Sequence, residues 1–279
     1  MTVRVSYWVL PNISGLVWLG MLLGLWLSWV IDHDKGRYPS MSDHATIPYI
    51  SNVGAHRLKP LFITGCALTT IFLDLSFAAD RWLRHRGRLA PNVSRGEKVL
   101  KSLTIVFAIV GTAGLILLSV FDTWRHNLLH HIFLGLFIGG YILSAIFICW
   151  EYQLLRRNYR EYPILRTSFI LKLFFIVVEL ALCIAFGACS RVDKHNAAAI
   201  IEWIIAVVFS FYVFSFTIDL WPAMHTKQVV VVEGIRTRHG VRVKMLRWVR
   251  RKRGAAGPIE MEEARIAEPE RVRTAGSSL

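Results

Sequence analysis

Acidic side chains interrupt the long apolar stretches of this sequence at Asp74, Glu179, Glu202 and Asp219. A charge at the centre of a membrane helix costs about 2.5–3.5 kcal/mol on insertion scales, so each carboxylate requires a partner or a function. Two interpretations remain open: an ion or lipid-headgroup site between helices, or protonated or paired residues that hold helices together. Lys172 precedes Glu179 by about two helical turns, and we expect its ammonium group to reach the membrane interface.

Asp122, His126 and His130 recur at intervals of four residues, and His131 follows directly. If a helix extends back through this segment, the first three share one face, where neutral imidazoles and a carboxylate could bind zinc. Against a metal site, these residues lie at the outer boundary of an apolar stretch, and the next helix offers no further ligand at a fixed spacing. We therefore predict interfacial histidines and no cofactor, and a zinc site remains the alternative.

The connection after the first apolar stretch contains a Pro-Tyr-Ile-Ser segment that is followed by a glycine. Because proline disfavours helical geometry in the residue before it, we expect an extended turn here. The turn is predicted to close the outer mouth of a helix bundle, and contact with a ligand remains the alternative. The residues concerned are Pro48, Tyr49, Ile50, Ser51 and Gly54.

A strongly basic segment follows the last apolar stretch, and its apolar side chains recur at helical spacing at Val241, Met245, Trp248 and Val249. Such a segment is typical of a helix that lies on an anionic leaflet, where each basic residue contributes about 1 kcal/mol. The alternative is a topology determinant or a run that resembles a nuclear-import signal. The predicted lipid-binding residues are Arg242, Lys244, Arg247, Arg250, Arg251, Lys252 and Arg253.

The elements that must position these groups are membrane helices. Hydrophobic residues make up 54% of the chain, and the mean hydropathy is +0.44. A bilayer core requires about 20 apolar residues per helix, and backbone groups in lipid must be satisfied within the segment. We predict an all-α bundle of six transmembrane helices: Trp8–Ile31, Leu61–Ala79, Ser102–Phe121, Leu128–Trp150, Phe169–Cys189 and Ala197–Trp221.

The basic residues divide unequally between the two sides of this bundle. Most of the 33 Lys and Arg residues fall in the segments that share a side with the N-terminus. The positive-inside rule therefore predicts that both termini are cytosolic. We predict no nucleic-acid partner, because the net charge of +14 belongs mainly to membrane loops. The predicted domains are residues 1–222, the membrane bundle, and residues 223–279, a basic cytosolic tail that is disordered from Gly254 onward.

Catalytic signatures are missing from the sequence. The chain has no Gly-x-Ser-x-Gly nucleophile motif, no Gly-x-Gly-x-x-Gly and no Walker-type phosphate loop. No loop is large enough for a soluble catalytic domain, and no internal repeat of the kind found in many transporters is visible. These observations favour a membrane protein without enzymatic activity.

Several short motifs resemble those of one family when they are taken in order. Pro-Tyr-Ile-Ser at residues 48–51 is similar to a signature of the FRAG/DRAM/SFK family, which includes damage-regulated autophagy modulators and fungal suppressor-of-four-kinase proteins. Phe-Asp-Thr-Trp-Arg-His at residues 121–126, with the two histidines at 130–131, resembles that family's connection between the third and fourth helices. Glu202-Trp203 and Asp219 complete the pattern. The resemblance covers residues 5–222, and the basic tail is similar to the fungal branch.

The resemblance implies a polytopic protein with no agreed enzymatic activity. For the fungal branch it implies a regulator or scaffold of phosphoinositide metabolism and lipid organisation at the plasma membrane. The implied partners are inner-leaflet phosphoinositides and a phosphatidylinositol 4-kinase complex. The vacuole or lysosome and the endoplasmic reticulum are alternative locations. A lipid-modifying enzyme that remodels GPI anchors, with its site among the outer-boundary residues, and a small-molecule transporter are the alternative functions.

Overall fold

A computed structural model describes residues 6–32, 34–89, 95–158, 163–237 and 240–250. For residues 32, 158, 163, 224–237 and 240–250 it describes the backbone alone. The tail basic residues Arg251, Lys252 and Arg253, and the segment predicted to be disordered from Gly254 onward, lie outside the described residues.

Eight α-helices and one hairpin follow one another along the described chain. In chain order they are α1 (Val9–Leu27), which continues as a π-turn (Ser28–Asp32), α2 (Ile50–Gly54), α3 (Lys59–His85), α4 (Arg95–Val120), α5 (Asn127–Asn158), α6 (Pro163–Arg191), α7 (His195–Leu220), α8 (Pro222–His225), β1 (Thr226–Thr237) and β2 (Gly240–Arg250). We call the end of the bundle where α1 ends and α3, α5 and α7 begin the loop end. The opposite end, where α3, α5 and α7 finish, is the tail end.

Within the described ranges, six helices are long and apolar enough to cross a membrane: α1 with its π-turn, α3, α4, α5, α6 and α7. The predicted six-helix membrane bundle is therefore confirmed. The helices exceed the predicted apolar stretches at the tail end. The second predicted stretch ends at Ala79, whereas α3 continues to His85, and α6 begins at Pro163 rather than at Phe169. These extensions carry charged residues, so hydropathy alone does not find them.

Consecutive helices pack against each other, as their short connections predict. α4 lies against α5, and α6 lies against α7. The first of these interfaces has almost no space between the two backbones: a Cβ atom added to Gly140 would lie 2.5 Å from the Gly111 nitrogen, and one added to Gly114 would lie 2.5 Å from the Phe137 nitrogen. Small residues allow such close approach between membrane helices, where dispersion contacts drive association.

An aromatic core joins α1, α3 and α7. Trp18 and Phe209 meet edge to face with ring centroids 5.6 Å apart, and the Trp18 indole donates a 2.8 Å hydrogen bond to the Ala206 carbonyl. Phe77 and Phe216 make a similar contact at 5.0 Å. The indole N–H needs a partner in an apolar interior, and the backbone of α7 supplies it. These contacts hold α7 against α1 and α3.

The prediction of an amphipathic helix in the basic tail is wrong for residues 240–250. This segment is the strand β2, which pairs antiparallel with β1, and Ile235 faces Arg242 in the register. The reason is visible in the sequence: apolar residues alternate with basic ones from Val241 to Met245, which is the period of a strand. Valine is also frequent in both segments, and β-branched residues favour strands.

Candidate functional site

The tail end of the bundle exposes cations and buries anions. Its exposed charged side chains, within the part that the structure describes, are all basic: Arg81, Arg86, Arg95, Lys98, Arg157 and Arg166. The acidic side chains described at this end are buried: Asp80, Glu97, Glu151 and Asp219. At the loop end, in contrast, Asp34, Asp43 and Asp193 are exposed beside basic residues. The tail end therefore presents a positive surface, which we call the basic surface and define by its six exposed residues.

Two of the buried acids at the tail end, Asp80 and Glu151, are held in an ion-pair network between α3, α4 and α5. Asp80 accepts a 3.0 Å hydrogen bond from the Arg84 side chain and lies 2.5 Å from the Lys101 ammonium nitrogen. Arg84 also donates to the Tyr152 hydroxyl at 3.1 Å, and Lys101 lies 3.7 Å from a Glu151 oxygen. Buried charges persist only when they are paired and hydrogen-bonded. The network thus connects three helices. It holds its acids inside the bundle, so the exposed cations of the basic surface have no exposed acid beside them among the described residues at this end.

Sequence reasoning missed this network, because Asp80, Arg84 and Glu151 all follow the predicted ends of their apolar stretches. One signal was present. Asp80 and Arg84 are four residues apart, so their side chains meet on one face if the helix continues. Lys101 directly precedes the predicted stretch that begins at Ser102, whereas the structure places it within α4, where it is 4% exposed.

The expectation that Lys172 reaches the membrane interface is wrong. Its side chain is fully buried, and its ammonium nitrogen lies 2.5 Å from Asp219 and 3.0 Å from the Ser168 hydroxyl. Ser168 also donates to Asp219. The ammonium group lies over the rings of Phe216, at 4.4 Å, and Tyr152, at 5.0 Å. A carboxylate and two aromatic faces offset the desolvation of this buried cation. Asp219 is therefore a partner that joins α7 to α6.

The remaining intramembrane carboxylates have different surroundings. Asp74 accepts a 2.9 Å hydrogen bond from Thr112, whose hydroxyl lies 2.9 Å from that of Tyr141, so this group links α3, α4 and α5. One oxygen of Glu179 is buried and has no hydrogen-bond partner among the described residues. Glu179 lines a cavity with a volume of about 120 Å³. An ion pair thus accounts for Asp219. Asp74 has one hydrogen-bonded oxygen and one buried oxygen without a partner among the described residues, and Glu179 has its unpartnered oxygen in the lining of the cavity.

Glu202 holds the loop motif against α7. Its carboxylate accepts a 2.8 Å hydrogen bond from the Ile50 backbone, at the start of α2, where a negative charge is favourable. The Trp203 indole donates to the Pro48 carbonyl at 3.1 Å. Burial, the largest influence, raises the pKa of the Tyr49 phenol; a hydrogen bond with Ser190 opposes this rise, and the Glu202 charge adds to it.

The expected extended turn is restricted to the start of this motif. Tyr49 is extended, with ψ at 155°, but Ile50–Gly54 forms the short helix α2. The Tyr49 backbone N–H donates to the Asn52 side chain at 3.0 Å and so caps the helix start. A Cβ atom at Gly54 would lie 2.7 Å from the Phe62 ring, which explains the glycine. The motif contacts the loop end of α7, in agreement with a closing segment, and Ile50 and Ser51 also line the cavity.

The structure does not bring Asp122, His126 and His130 together as a metal site. α5 begins at Asn127, so Asp122 precedes the helix instead of sharing its face. Asp122 lies 2.6 Å from the Lys59 ammonium nitrogen and accepts from the Arg125 backbone at 2.7 Å. A ring nitrogen of His130 lies 2.9 Å from the Phe121 carbonyl. Among the described residues, no group of three His, Cys, Asp or Glu side chains could hold a metal ion.

The Lys59–Asp122 pair should depend on pH. Burial opposes ionisation of Asp122, but the hydrogen bonds from Lys59 and from the Arg125 N–H outweigh burial and hold its pKa below 3.8. The pKa of Asp122 is lower in the folded than in the unfolded chain, so ionised Asp122 stabilises the fold at pH values above its unfolded-state pKa. This stabilisation is lost as the pH falls through the lowered pKa of the folded chain. We expect Asp122→Asn to cost about 1 kcal/mol at neutral pH.

Thermal unfolding of the wild type and of Asp122→Asn in mild detergent measures this difference. The difference in stability should remain constant from about pH 7 to about pH 5 and should shrink only in stronger acid. Its disappearance already between neutral pH and about pH 5 would contradict the assigned direction of the pKa shift.

Comparison with known proteins gives the chain its family. Residues 6–223 match the family model described as the Frag1/DRAM/Sfk1/Cwh43P N-terminal domain. The chain is 34% identical over 220 residues to protein sfk1 of Schizosaccharomyces pombe, covering 77% of this chain and 63% of that protein. It is 23% identical over 178 residues to protein SFK1 of Saccharomyces cerevisiae, covering 54% of this chain and 50% of that protein. The matches thus span less than two thirds of either relative.

No solved structure matches the chain at a significant level. The family model covers the whole membrane bundle, in which the segment at residues 48–54 contacts Glu202 and Trp203 and Asp219 pairs with Lys172. The chain is therefore a multi-pass membrane protein that belongs to the Frag1/DRAM/Sfk1/Cwh43P family.

Proposed function

We propose that this protein is a non-enzymatic Sfk1-type membrane regulator that binds phosphoinositides at its tail end and thereby organises their metabolism. The observation that carries the proposal is the basic surface, whose exposed side chains are cations while the neighbouring anions are buried. A surface of this kind attracts anionic lipid headgroups, and the attraction falls within about 8 Å at physiological salt. The proposed membrane is the plasma membrane, with the tail end and both termini on its cytosolic side.

The first turn of α4 supplies a well-defined part of the basic surface. Arg95 and Lys98 are both exposed and lie three residues apart, so they are neighbours on one face of the helix. Two adjacent cations suit a phosphorylated headgroup, which carries more than one negative charge. The tail basic residues Arg242, Lys244, Arg247 and Arg250 follow α7 on β2, and we propose that they add to the same surface. We also propose a phosphatidylinositol 4-kinase complex as the partner that uses the collected lipid.

Replacing both Arg95 and Lys98 by glutamine should weaken phosphoinositide binding about 30-fold, because each cation contributes about 1 kcal/mol near an anionic lipid. The measurement is titration of the purified chain in mild detergent with a short-chain phosphatidylinositol 4-phosphate. Short-chain phosphatidylcholine, which has no net charge, should bind weakly to the wild type. Its affinity should not exceed the affinity of the double variant for the phosphoinositide. Binding of the phosphoinositide should also decrease as the salt concentration rises.

The matched control removes two exposed cations from the loop end, in the variant Arg57→Gln/Arg191→Gln. It changes the net charge by the same amount and should leave phosphoinositide binding unchanged. Equal weakening by both variants would show that only the overall charge matters, and equal binding of the two lipids to the wild type would also contradict the proposal.

A further inference from the structure

The cavity beside Glu179 is elongated along the helices. It lies between α5, α6 and α7, and its lining on α5 extends from His130 to Ala145. At 1.5 Å per residue this distance is about 22 Å along the helix axis. The lining is mainly aromatic and aliphatic, with Phe137 and Phe209 among its side chains. The volume of about 120 Å³ is too small to enclose a whole lipid, so this long apolar space suits part of an extended lipid whose remainder lies in the surrounding bilayer.

The cavity is accessible from the side. The lining residues Ile138 and Ile142 on α5, and Ile176 and Cys183 on α6, are half-buried rather than enclosed. The outer side of α6 is strongly exposed and apolar, as at Val177, which is 58% exposed. In a membrane such a surface contacts lipid chains. A molecule dissolved in the bilayer can therefore reach the cavity between α5 and α6 without crossing water.

One polar group in this lining lacks a partner. The buried Glu179 oxygen accepts no hydrogen bond within the described part of the chain. Glu202 also lines the cavity, but its carboxylate is engaged by the Ile50 backbone. A buried acceptor without a donor is costly in an apolar interior, and a ligand that supplies an O–H group removes that cost. Glu179 is therefore the group that would favour an apolar ligand with an O–H donor over one without.

We propose that the cavity binds an uncharged lipid alcohol, with its apolar body between α5 and α6 and its hydroxyl donating to the Glu179 carboxyl group. A neutral ligand fits because the lining offers no cation to neutralise a phosphate at this depth. Straight-chain and fused-ring alcohols offer the same hydroxyl. This site is separate from the basic surface and does not depend on the function proposed for it.

Photolabelling tests the proposal on the full chain in mild detergent. The probes are a diazirine-bearing hexadecanol and its methyl ether, which has the same chain but no O–H donor. The alcohol should label the α5 and α6 residues of the cavity about fivefold more than the ether, which is the effect of one net hydrogen bond. Glu179→Leu should abolish this preference, while Glu179→Gln, which keeps an acceptor oxygen, should retain it. Equal labelling by both probes in the wild type, or a preference that survives in Glu179→Leu, would overturn the proposal.

Substitutions at two adjacent positions of α6 distinguish labelling in the cavity from labelling on the lipid-facing surface. Ile176→Trp places a large side chain in the cavity and should remove most of the labelling there. Val177→Trp places the same side chain on the exposed face and should leave it unchanged. Equal labelling of the two variants would count against the cavity. Unlabelled octadecanol and cholesterol then compete with the probe for the cavity. Displacement by either one supports the site and shows whether it prefers a straight-chain or a fused-ring alcohol. If neither displaces the probe, the proposal is overturned.

Discussion

Replacing Lys172 by methionine should destabilise the bundle by about 3 kcal/mol, because Asp219 would remain as a buried carboxylate without its cation. Removing one partner of a buried ion pair costs about 3–5 kcal/mol. We expect the lower part of this range, since Ser168 continues to donate to Asp219. The effect should exceed that of removing an ordinary hydrogen bond between membrane helices, which averages about 0.6 kcal/mol. Unfolding of the purified protein in detergent, by heat or by added denaturing detergent, measures the loss.

The position of the pair explains why the effect is large. α6 is the most peripheral of the six described membrane helices, because only 6% of the residues in its most apolar segment are buried. Lys172 and Asp219 form a buried polar attachment of α6 to α7, and the ammonium group also contacts Phe216 and Tyr152. Loss of the cation removes the ion pair and both ring contacts in one step.

A double variant distinguishes an unpaired charge from a simple loss of packing. Lys172→Met/Asp219→Asn removes both charges and should be more stable than Lys172→Met alone, because no ion is left without a partner. Arg166→Met is the control on the same helix, since Arg166 is exposed, and it should change stability by less than about 0.5 kcal/mol. If the double variant were no more stable than the single one, the pair would not be the source of the loss.

The membrane helices could be predicted from the sequence because their signal is local. Each apolar stretch must satisfy its own backbone in lipid, so its length and composition suffice to find it. The ion pair between α6 and α7 follows no such local rule. Lys172 and Asp219 are 47 residues apart in the sequence, and only the packing of α6 on α7 brings them together. The sequence indicated that Asp219 required a partner or a function and predicted an interfacial position for Lys172, but it did not indicate that the two side chains pair.

One alternative, the zinc site, and one prediction, the amphipathic tail helix, do not agree with the structure, because each interpreted a periodic pattern without its context. The spacing of Asp122, His126 and His130 has helical meaning only if the helix includes all three, and α5 begins after the first two. In the tail, the positions of Val241, Met245 and Trp248 fitted a helix, although the alternation of Val241 and Val243 with basic residues favoured a strand. Both cases show that a spacing of four residues is weak evidence at the end of an element.

The loop motif was predicted only in part. Its position on the loop end of the bundle was predicted, whereas its contact with Glu202 was not, because the carboxylate was considered only as an intramembrane charge. Glu202, about two turns into α7, and the N–H of Ile50 at the start of α2 meet at 2.8 Å. The signal that could have connected them is chemical: a helix start attracts a carboxylate, and α2 begins within the motif.

Substituting alanine for Gly140 should destabilise the fold by about 3 kcal/mol, because its Cβ atom would lie 2.5 Å from the backbone nitrogen of Gly111 on α4. A backbone atom cannot rotate away as a side chain can, so α4 and α5 must move apart along their interface. Overpacking of a close-packed interior typically costs about 1–3 kcal/mol, and the rigidity of the contact places this case at the upper end. Gly114, whose Cβ atom would meet the Phe137 backbone at 2.5 Å, should behave in the same way.

Gly139→Ala is the matched control, since a Cβ atom at Gly139 has no neighbour within 4 Å. Both substitutions add the same methyl group to neighbouring positions of α5, and both gain the higher helix propensity of alanine, worth up to about 1 kcal/mol. Gly139→Ala should therefore be neutral or slightly stabilising, and the difference between the two variants isolates the contact with α4. Unfolding in detergent measures both, and equal stability of Gly139→Ala and Gly140→Ala would show that α4 and α5 do not approach as closely as their glycines permit.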